Sequence, residues 1–250
     1  MKTMLRFAFA ALLAATAPLA TASADDGFTA DQKALIDEQV RDYLLRNPEV
    51  IIEAMEVLER RREEQERSTD AAMISSLGDE LKNDGYSFVA GNPEGDVTVV
   101  EFADYRCGYC KQAHEDVKAL LAADPNVRLV IKEFPILGPD STFAARAAMA
   151  AQKQGDAEYL ALNDAMMTWR GELSEAAVIA LADEAGLDMD RFRNDMEDPT
   201  IAENIQRTYA LARQLQINGT PGFIVGGRII RGYVPFDQLR ELVEDARERG

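Results

Sequence analysis

The two cysteines of this chain, Cys107 and Cys110, are the only ones among its 250 residues, and they lie where one sequence pattern changes into another. The apolar run 97–103 before them predicts a buried strand, and the run 112–121 after them has the periodicity of a helix. A disulfide between them would close a ring of only four residues, which stabilises a fold by about 2 kcal/mol. The pair is therefore predicted to be reactive rather than to serve as a structural disulfide.

The position of Cys107 at the start of this helix predicts an acidic thiol. A helix N-terminus has free N–H groups and the positive end of the helix dipole, and both stabilise a thiolate. Arg106 and Lys111 add positive charge nearby. We therefore expect the pKa of Cys107 to fall below the free value of about 8.5. Cys107 is the predicted nucleophile, and Cys110, one turn further into the helix, is predicted to resolve a mixed disulfide.

The first 24 residues have the pattern of an export signal. Lys2 and Arg6 precede an apolar run over 7–15, and small residues end the segment at Ala24. This pattern predicts a cleaved signal peptide over 1–24 and a periplasmic location. An uncleaved anchor is the alternative, although the run is shorter than the roughly 20 residues that span a bilayer. Without this segment 27 Lys+Arg become 25 against 44 Asp+Glu, a net charge of −19, which argues against nucleic-acid binding.

Residues 25–68 are predicted to form an N-terminal helical region. From 29 to 67 the sequence is highly charged and almost without glycine, and Asn47-Pro48 separates two helical segments. Each segment has apolar residues on one side and the second ends in alternating charges, so the apolar stripe needs a partner surface. Two alternatives are open: the stripe packs on the chain's own globular domain, or residues 29–67 self-associate as a stalk and form a homo-oligomer.

The rest of the sequence predicts an α/β fold that is interrupted by helices. Strand, helix and strand follow one another from 97 to 134, which predicts a βαβ unit with parallel strands. Gly226-Gly227 between two strand-like runs predicts a hairpin, and a helix follows it. The predicted regions are a first part with a lead-in helix and the βαβ unit at 69–138, a helical insertion at 139–215, and a second part with ββα order at 216–250.

Three phrases of the sequence are similar to those of a known family: 101–111 around the cysteines, 132–138, and 219–223. Together with the element order they resemble the DsbA-like thiol-disulfide oxidoreductases, and among these the exported subgroup that includes Com1-type proteins and the suppressor-of-copper-sensitivity protein C. The resemblance covers residues 86–250. It implies a thioredoxin-like fold with a helical insertion.

The resemblance also implies a set of site residues around the cysteines. Thr220-Pro221 matches the family's cis-proline facing the active site, whereas the sequence alone equally allows an ordinary turn proline. Glu101 matches a buried carboxylate beneath the resolving cysteine, where it could accept the proton of Cys110. Lys132 in the neighbouring strand is its expected partner. The alternative places Glu101 on a solvated strand face without a role.

The residues between and after the cysteines have two interpretations each. Gly108-Tyr109 lies where the dipeptide of such motifs tunes the redox potential, and Tyr109 is either a substrate contact or an exposed rim aromatic. His114 follows Cys110 by four residues, on the same helical face as both cysteines. Two thiolates and this imidazole could hold Cu(I), or His114 is an ordinary polar helix residue.

These features favour a periplasmic thiol-disulfide oxidoreductase whose substrates are exported proteins with cysteines. The resemblance implies no cofactor beyond a redox-active Cys107–Cys110 disulfide, and no resident metal. It also implies a membrane redox partner, either a reductant or a quinone-linked oxidant. A self-associating stalk at 29–67 favours a disulfide isomerase or reductase, and a monomer favours an oxidase. The competing hypothesis is a periplasmic copper-binding or copper-tolerance protein in which the cysteines are Cu(I) ligands.

Overall fold

The structure is a computed structural model that describes residues 27–249. The predicted signal peptide, 1–24, lies outside the described residues. The described part divides into two compact units, 27–59 and 60–249. Among the described helices, none combines the length and the apolar composition that crossing a membrane requires.

The first unit is helical, as the sequence predicts. Helix α1 spans Ala30–Arg46, and helix α2, which begins in this unit, spans Glu49–Ser76. Thr29 caps α1 in a capping box: its hydroxyl accepts from the N–H of Gln32, whose side chain accepts from the N–H of Thr29. Most of the predicted apolar stripe is exposed in this unit, including Leu35, Val40, Leu45, Ile51, Met55, Val57 and Leu58.

The second unit is built on a five-stranded mixed sheet with the order β1-β3-β2-β4-β5. Its strands are β1 (Phe88–Gly91), β2 (Val97–Ala103), β3 (Val127–Glu133), β4 (Gly222–Val225) and β5 (Arg228–Arg231). The two central strands, β2 and β3, are parallel, and every other pair is antiparallel. The predicted βαβ unit is therefore confirmed. Both faces of the central strands are covered, which explains why consecutive apolar residues, 99–100 in β2 and 129–131 in β3, are buried.

Eight further helices surround this sheet. They are α3 (Gly78–Lys82), α4 (Gly108–Ala123), α5 (Pro139–Gln152), α6 (Asp156–Thr168), α7 (Glu175–Glu184), α8 (Met189–Met196), α9 (Pro199–Gln214) and α10 (Phe236–Arg249). The predicted helical insertion is present as α5 to α9, between β3 and β4. The predicted boundary at 68/69 falls inside α2, because that helix continues to Ser76.

Side chains alternate between two cores on the two faces of the sheet. Val99 and Ala103 face a large core formed with α4, α10 and the inserted helices. Val100 and Phe102 face a smaller core, to which α2, α3 and α9 contribute. The parity of a position in β2 or β3 therefore decides which core its side chain enters.

The predicted hairpin is also confirmed. Gly226 and Gly227 connect β4 to β5 with φ values of 53° and 81°. Two successive residues with positive φ are typical of the type I′ turn, whose twist matches that of the strands. Gly226 has a second constraint, because a Cβ there would lie 2.4 Å from the Cβ of Ala246.

Candidate active site

The chain turns sharply between the end of β2 and the start of α4, and this turn places Cys107 at the helix N-cap. Its backbone is extended, with φ −76° and ψ 118°, and its Sγ accepts a hydrogen bond from the N–H of Cys110 at 3.3 Å. Ser or Asp oxygens usually accept this bond at an N-cap. A sulfur in the same place lies next to the unsatisfied N–H groups and the positive end of the α4 dipole, which stabilise its thiolate form, as the sequence predicts.

The pKa values of the two thiols are shifted in opposite directions. The hydrogen bond from the Cys110 side chain lowers the pKa of Cys107 to about 6, helped by the Thr220 contact and by backbone N–H groups and opposed by burial. The same thiol–thiol hydrogen bond and burial raise the pKa of Cys110 far above its ordinary value. Cys107 is 6% exposed, whereas Cys110 is completely buried. Of the two cysteines, only Cys107 combines a lowered pKa with any exposed surface.

Two cations predicted to stabilise the thiolate are engaged elsewhere. Arg106 donates to the carbonyl of Leu137 at 2.9 Å and lies 3.6 Å from Asp140. Lys111 donates to the carbonyl of Trp169 at 2.8 Å. The largest causes that lower the pKa of Cys107 are hydrogen bonds from the side chains of Cys110 and Thr220, followed by the backbone N–H groups of Cys110 and Tyr109. The predicted direction and the contribution of the helix N-terminus are therefore supported, whereas the predicted contribution of Arg106 and Lys111 is not.

A buried aspartate fixes the turn that leads to the first cysteine. Oδ1 of Asp104 accepts from the N–H of Arg106 and the hydroxyl of Ser141, both at 2.8 Å. Oδ2 accepts from the N–H groups of Ile136 and Leu137 at 2.8 and 3.0 Å. These four bonds tie the turn to the loop after β3 and to the start of α5. The sequence interpretation missed this residue, since its partners are distant in the chain.

The peptide bond between Thr220 and Pro221 is cis, as the family resemblance implies. It precedes β4, which pairs with β2. The thiol of Cys107 donates to the carbonyl oxygen of Thr220 at 3.2 Å. The structure thus brings together residues that are 113 positions apart in the chain.

Glu101 lies beneath the cysteines, on the same face of β2 as the large core. It is 5% exposed, which agrees with the buried alternative rather than the solvated one. Burial, and then the negative charge of Cys107, raise the pKa of Glu101 to about 8. Its own charge is in turn one of the causes that raise the pKa of Cys110. The carboxyl group and both thiols therefore form one coupled set.

Lys132 is not the partner of Glu101, and that expectation was wrong. Its Nζ donates to Asp84 Oδ2 at 2.6 Å and to the carbonyl of Glu80 at 2.8 Å, and its side chain is completely buried. Lys132 is in register with Phe102, whose side chain enters the small core. Neighbouring positions of a strand point to opposite faces, so this lysine and Glu101 are separated by the sheet.

A second buried carboxylate, Glu133, lies on the same face as Glu101 and was missed by the sequence interpretation. Its Oε1 accepts from the hydroxyls of Tyr105 at 2.9 Å and Tyr159 at 2.8 Å. Asn163 donates to the Tyr105 hydroxyl at 3.0 Å. Burial raises the pKa of Glu133 to about 8, although the two tyrosine bonds oppose the rise. The sequence did contain a signal: Glu133 directly follows Lys132 in a strand, so these two charged side chains must point to opposite faces of the sheet.

His114 is held by an aspartate of the inserted helices. Its Nε2 lies 2.9 Å from Oδ1 of Asp164, which also accepts from Lys118 at 2.6 Å. This contact joins α4 to α6. Within residues 27–249, no three side chains of His, Cys, Asp or Glu are grouped as metal ligands. The alternative in which His114 and both cysteines surround one ion is therefore not seen among these residues.

The dipeptide between the cysteines faces outwards. Tyr109 is 64% exposed, and its ring lies 6.2 Å from that of Tyr233 at an angle of 27°. The hydroxyl of Tyr233 donates to Asp116 at 2.8 Å, which holds this second ring in place. A Cβ added to Gly108 would meet open space. The two tyrosines form an aromatic rim beside Cys107.

Comparison with protein families gives two matches along the chain. The DSBA-like thioredoxin domain matches residues 98–244, and the Copper resistance protein ScsC N-terminal domain matches residues 32–65. A solved thioredoxin-like oxidoreductase from Silicibacter pomeroyi DSS-3 is 49% identical with a TM-score of 0.66, covering 68% of this chain and 97% of that one. A linker-deletion variant of Proteus mirabilis ScsC is 26% identical with a TM-score of 0.69, covering 90% and 100%.

A curated relative, the Na⁺/H⁺ antiporter NhaA 1 of Salinispora arenicola, is 36% identical over 160 residues, which are 63% of this chain and 24% of that protein. This chain thus spans about a quarter of that relative's length. The matched DSBA-like segment, 98–244, includes more than half of the chain and all of the residues that surround the two thiols. The chain therefore belongs to the DSBA-like thioredoxin domain family and has the predicted thioredoxin-like fold with a helical insertion.

Proposed function

We propose that this protein is a periplasmic thiol-disulfide oxidoreductase that acts on cysteines of exported proteins. The observation that supports this most directly is the contrast between its two thiols. Cys107 is an acidic N-cap thiol that reaches solvent, and Cys110 is a buried thiol within hydrogen-bonding distance of it. A structural disulfide needs no such difference, whereas an exchange enzyme needs one nucleophile and one protected resolving thiol.

In the reductive direction, the Cys107 thiolate attacks a substrate disulfide and forms a mixed disulfide, releasing one substrate thiolate. Cys110 then loses its proton and attacks Cys107 Sγ. The Cys107–Cys110 bond forms, the mixed disulfide breaks, and the second substrate sulfur leaves as a thiolate. The substrate gains two electrons and the enzyme loses two. The oxidative direction is the reverse of these steps.

Glu101 is suited to accept the proton of Cys110. While Cys107 is a thiolate, its charge helps to raise the pKa of Glu101. Forming the mixed disulfide removes that charge, so the carboxyl group becomes more acidic and loses its proton more readily. The carboxylate is then available as a base when Cys110 must be deprotonated. The Thr220 carbonyl, next to the cis bond, and the exposed rim residue Tyr109 are placed to contact an extended substrate.

The test of this chemistry is a pair of serine variants assayed for insulin reduction. Cys107→Ser is expected to lose activity completely, because the nucleophile is gone. Cys110→Ser is expected to react once and to accumulate a mixed disulfide that mass spectrometry detects. Full activity of Cys107→Ser would refute the proposed function.

The direction of the reaction is proposed to be isomerisation or reduction, supplied by a membrane reductant. The support is the exposed apolar stripe of residues 29–58, which would be covered if this helical region formed a homo-oligomer with several active sites facing one another. A monomer would instead favour an oxidase that is recharged by a quinone-linked partner. Sedimentation of the wild type, of Ile51→Glu and of the exposed control Glu53→Gln tests this. A monomeric wild type would remove the basis for isomerisation.

Copper binding is the second candidate, favoured by the match of residues 32–65 to the Copper resistance protein ScsC N-terminal domain. Cys107 and Cys110 would be the Cu(I) ligands, without His114, which Asp164 already engages. Titration of the reduced protein with Cu(I) against a competing chelator tests this. Tight one-to-one binding that is lost in Cys107→Ser would support it. Weak binding together with intact insulin reduction would eliminate it.

A further inference from the structure

The buried position of Cys110 creates a problem of proton transfer that Glu101 alone does not solve. Cys110 is completely buried, and Glu101 is only 5% exposed. A proton that passes from the thiol to Glu101 must still reach solvent before the next cycle. A route from Glu101 to solvent is therefore needed.

Glu133 is the next acidic group on this face of the sheet. Glu101 is in register with Ile131 on the parallel neighbour β3, so Glu133 lies diagonally across from it, two residues further along. With about 4.8 Å between strands and a rise of about 3.3 Å per residue, the Cβ atoms of such a pair are about 8 Å apart, which long side chains can bridge. The charge of Glu101 is one of the causes that raise the pKa of Glu133. The two carboxyl groups are therefore electrostatically coupled.

A small cavity lies on the far side of Glu133. It offers ≈ 10 Å³ for the centre of a water molecule and is lined by Glu133, Tyr159, Gln152, Thr208 and Tyr86 among others. A buried water needs about this much space and two to four polar partners. The carboxyl, amide and hydroxyl groups of these side chains provide them.

The same cavity leads towards the surface. Tyr86, Met149 and Gln152 line both this cavity and a larger open groove of ≈ 290 Å³ that also borders Gly85 and Lys153. The hydroxyl of Tyr86 lies 3.4 Å from that of Thr208, so polar groups continue from the carboxyl group to the groove. Only a few side chains separate Glu133 from bulk water.

We propose that Glu133 and this cavity form the route by which Glu101 exchanges protons with solvent, losing its own proton before it accepts that of Cys110 and releasing the latter afterwards. The inference rests on the proposed thiol-disulfide exchange. In the step, Cys110 Sγ–H transfers its proton to a Glu101 oxygen as the Cys107–Cys110 bond forms and the substrate thiolate leaves. Glu133 first releases its own proton through the cavity and then takes up the proton that Glu101 holds. Glu133 is a positioning and relay residue, since it touches neither the thiols nor the substrate.

The ionisation of Glu133 depends on groups from each element that surrounds it. These groups are Glu101 on β2, Asp104 and Tyr105 in the turn after β2, Tyr159 on α6, and Tyr86 before β1. The two tyrosine hydroxyls that donate to Oε1 would also donate to a glutamine there. Glu133→Gln therefore preserves the hydrogen bonds and removes only the ability to take up and release a proton.

The test measures how long the mixed disulfide lives. Reduced protein is mixed with oxidised glutathione, quenched in acid at successive times, and separated by mass into the glutathione adduct and the internal disulfide. Glu133→Gln is expected to lengthen the lifetime of the adduct at least about tenfold at pH 6–7. The pKa of Cys107, followed by thiolate absorbance, should stay unchanged. Glu241→Gln, the same change at an exposed site, should match the wild type.

A second variant keeps the test decisive if Glu133→Gln does not fold. Thr208→Val has nearly the same shape and removes a hydroxyl from the cavity, so it should lengthen the adduct lifetime in the same pH range. If the variants that fold have adduct lifetimes within twofold of the wild type, the inference is overturned. A longer lifetime that is explained by a changed pKa of Cys107 would also overturn it. If Cys107→Ser is inactive in the same experiment, the proposed function stands even when the relay fails.

Discussion

Replacing Glu101 by glutamine should change the free energy of unfolding by an amount that increasingly favours the variant as the pH rises. Burial raises the pKa of Glu101 to about 8 in the folded protein, against an ordinary value of 4.5 in the unfolded chain. Below pH 4.5 both states hold the proton, so the carboxyl group has no effect on the free energy of unfolding. Between pH 4.5 and 8 the unfolded chain releases the proton and the folded protein keeps it. The titration of Glu101 therefore lowers the stability of the wild type as the pH rises, and the variant lacks this contribution.

The size of this effect follows from the two pKa values. They differ by about 3.5, and each pKa unit corresponds to about 1.36 kcal/mol. The advantage of Glu101→Gln should therefore increase by about 3 kcal/mol between pH 4.5 and pH 7, and by about 5 kcal/mol once both states of the wild type are ionised. The amide of the variant adds a constant cost at every pH, so the change with pH is the quantity that tests the argument.

The assay is urea unfolding of the reduced wild type and of Glu101→Gln, at pH values from 4.5 to 8.5. Subtracting the two free energies of unfolding cancels the titration of most other groups. Glu241→Gln, an exposed control, should run parallel to the wild type. A constant difference between Glu101→Gln and wild type over this range would mean that Glu101 ionises normally. That result would refute the burial argument and with it the proposed role of Glu101 as proton acceptor.

Two further substitutions test the packing around the site. Lys132→Met should lower the free energy of unfolding by about 3–5 kcal/mol in urea titrations, because it leaves the buried Asp84 carboxylate without its cation; a loss below 1 kcal/mol would contradict this. Gly226→Ala should lower the melting temperature more than Gly227→Ala, because both have positive φ but only the first places a Cβ 2.4 Å from Ala246. Equal shifts would show that the contact with Ala246 is unimportant.

Features that depend on neighbouring residues were predicted well. The apolar run of β2, the helical periodicity of α4 and the spacing to β3 predicted a parallel βαβ unit, which is present. Gly226-Gly227 predicted a tight hairpin, because few other residues adopt positive φ at two successive positions. The placement of Cys107 at a helix N-cap followed from the same local pattern.

Features that depend on distant residues were missed or were assigned wrongly. Lys132 was paired with Glu101 because both belong to neighbouring strands, yet the register places them on opposite faces. Asp104 was overlooked although four hydrogen bonds hold it, since three of its donors come from the segment after β3. Glu133 was overlooked because its tyrosine partners lie 28 and 26 residues away.

The sequence by itself determined the reactive pair, its position between strand and helix, and the order of the elements. These follow from local periodicity and backbone preference, which act over a few residues. Tertiary structure alone decided which groups surround the pair: the Thr220 carbonyl at Cys107, Glu101 beneath both thiols, and Glu133 beyond it. The physical reason is that burial and coupling between charges depend on strand register and packing, which bring together side chains that no local pattern connects.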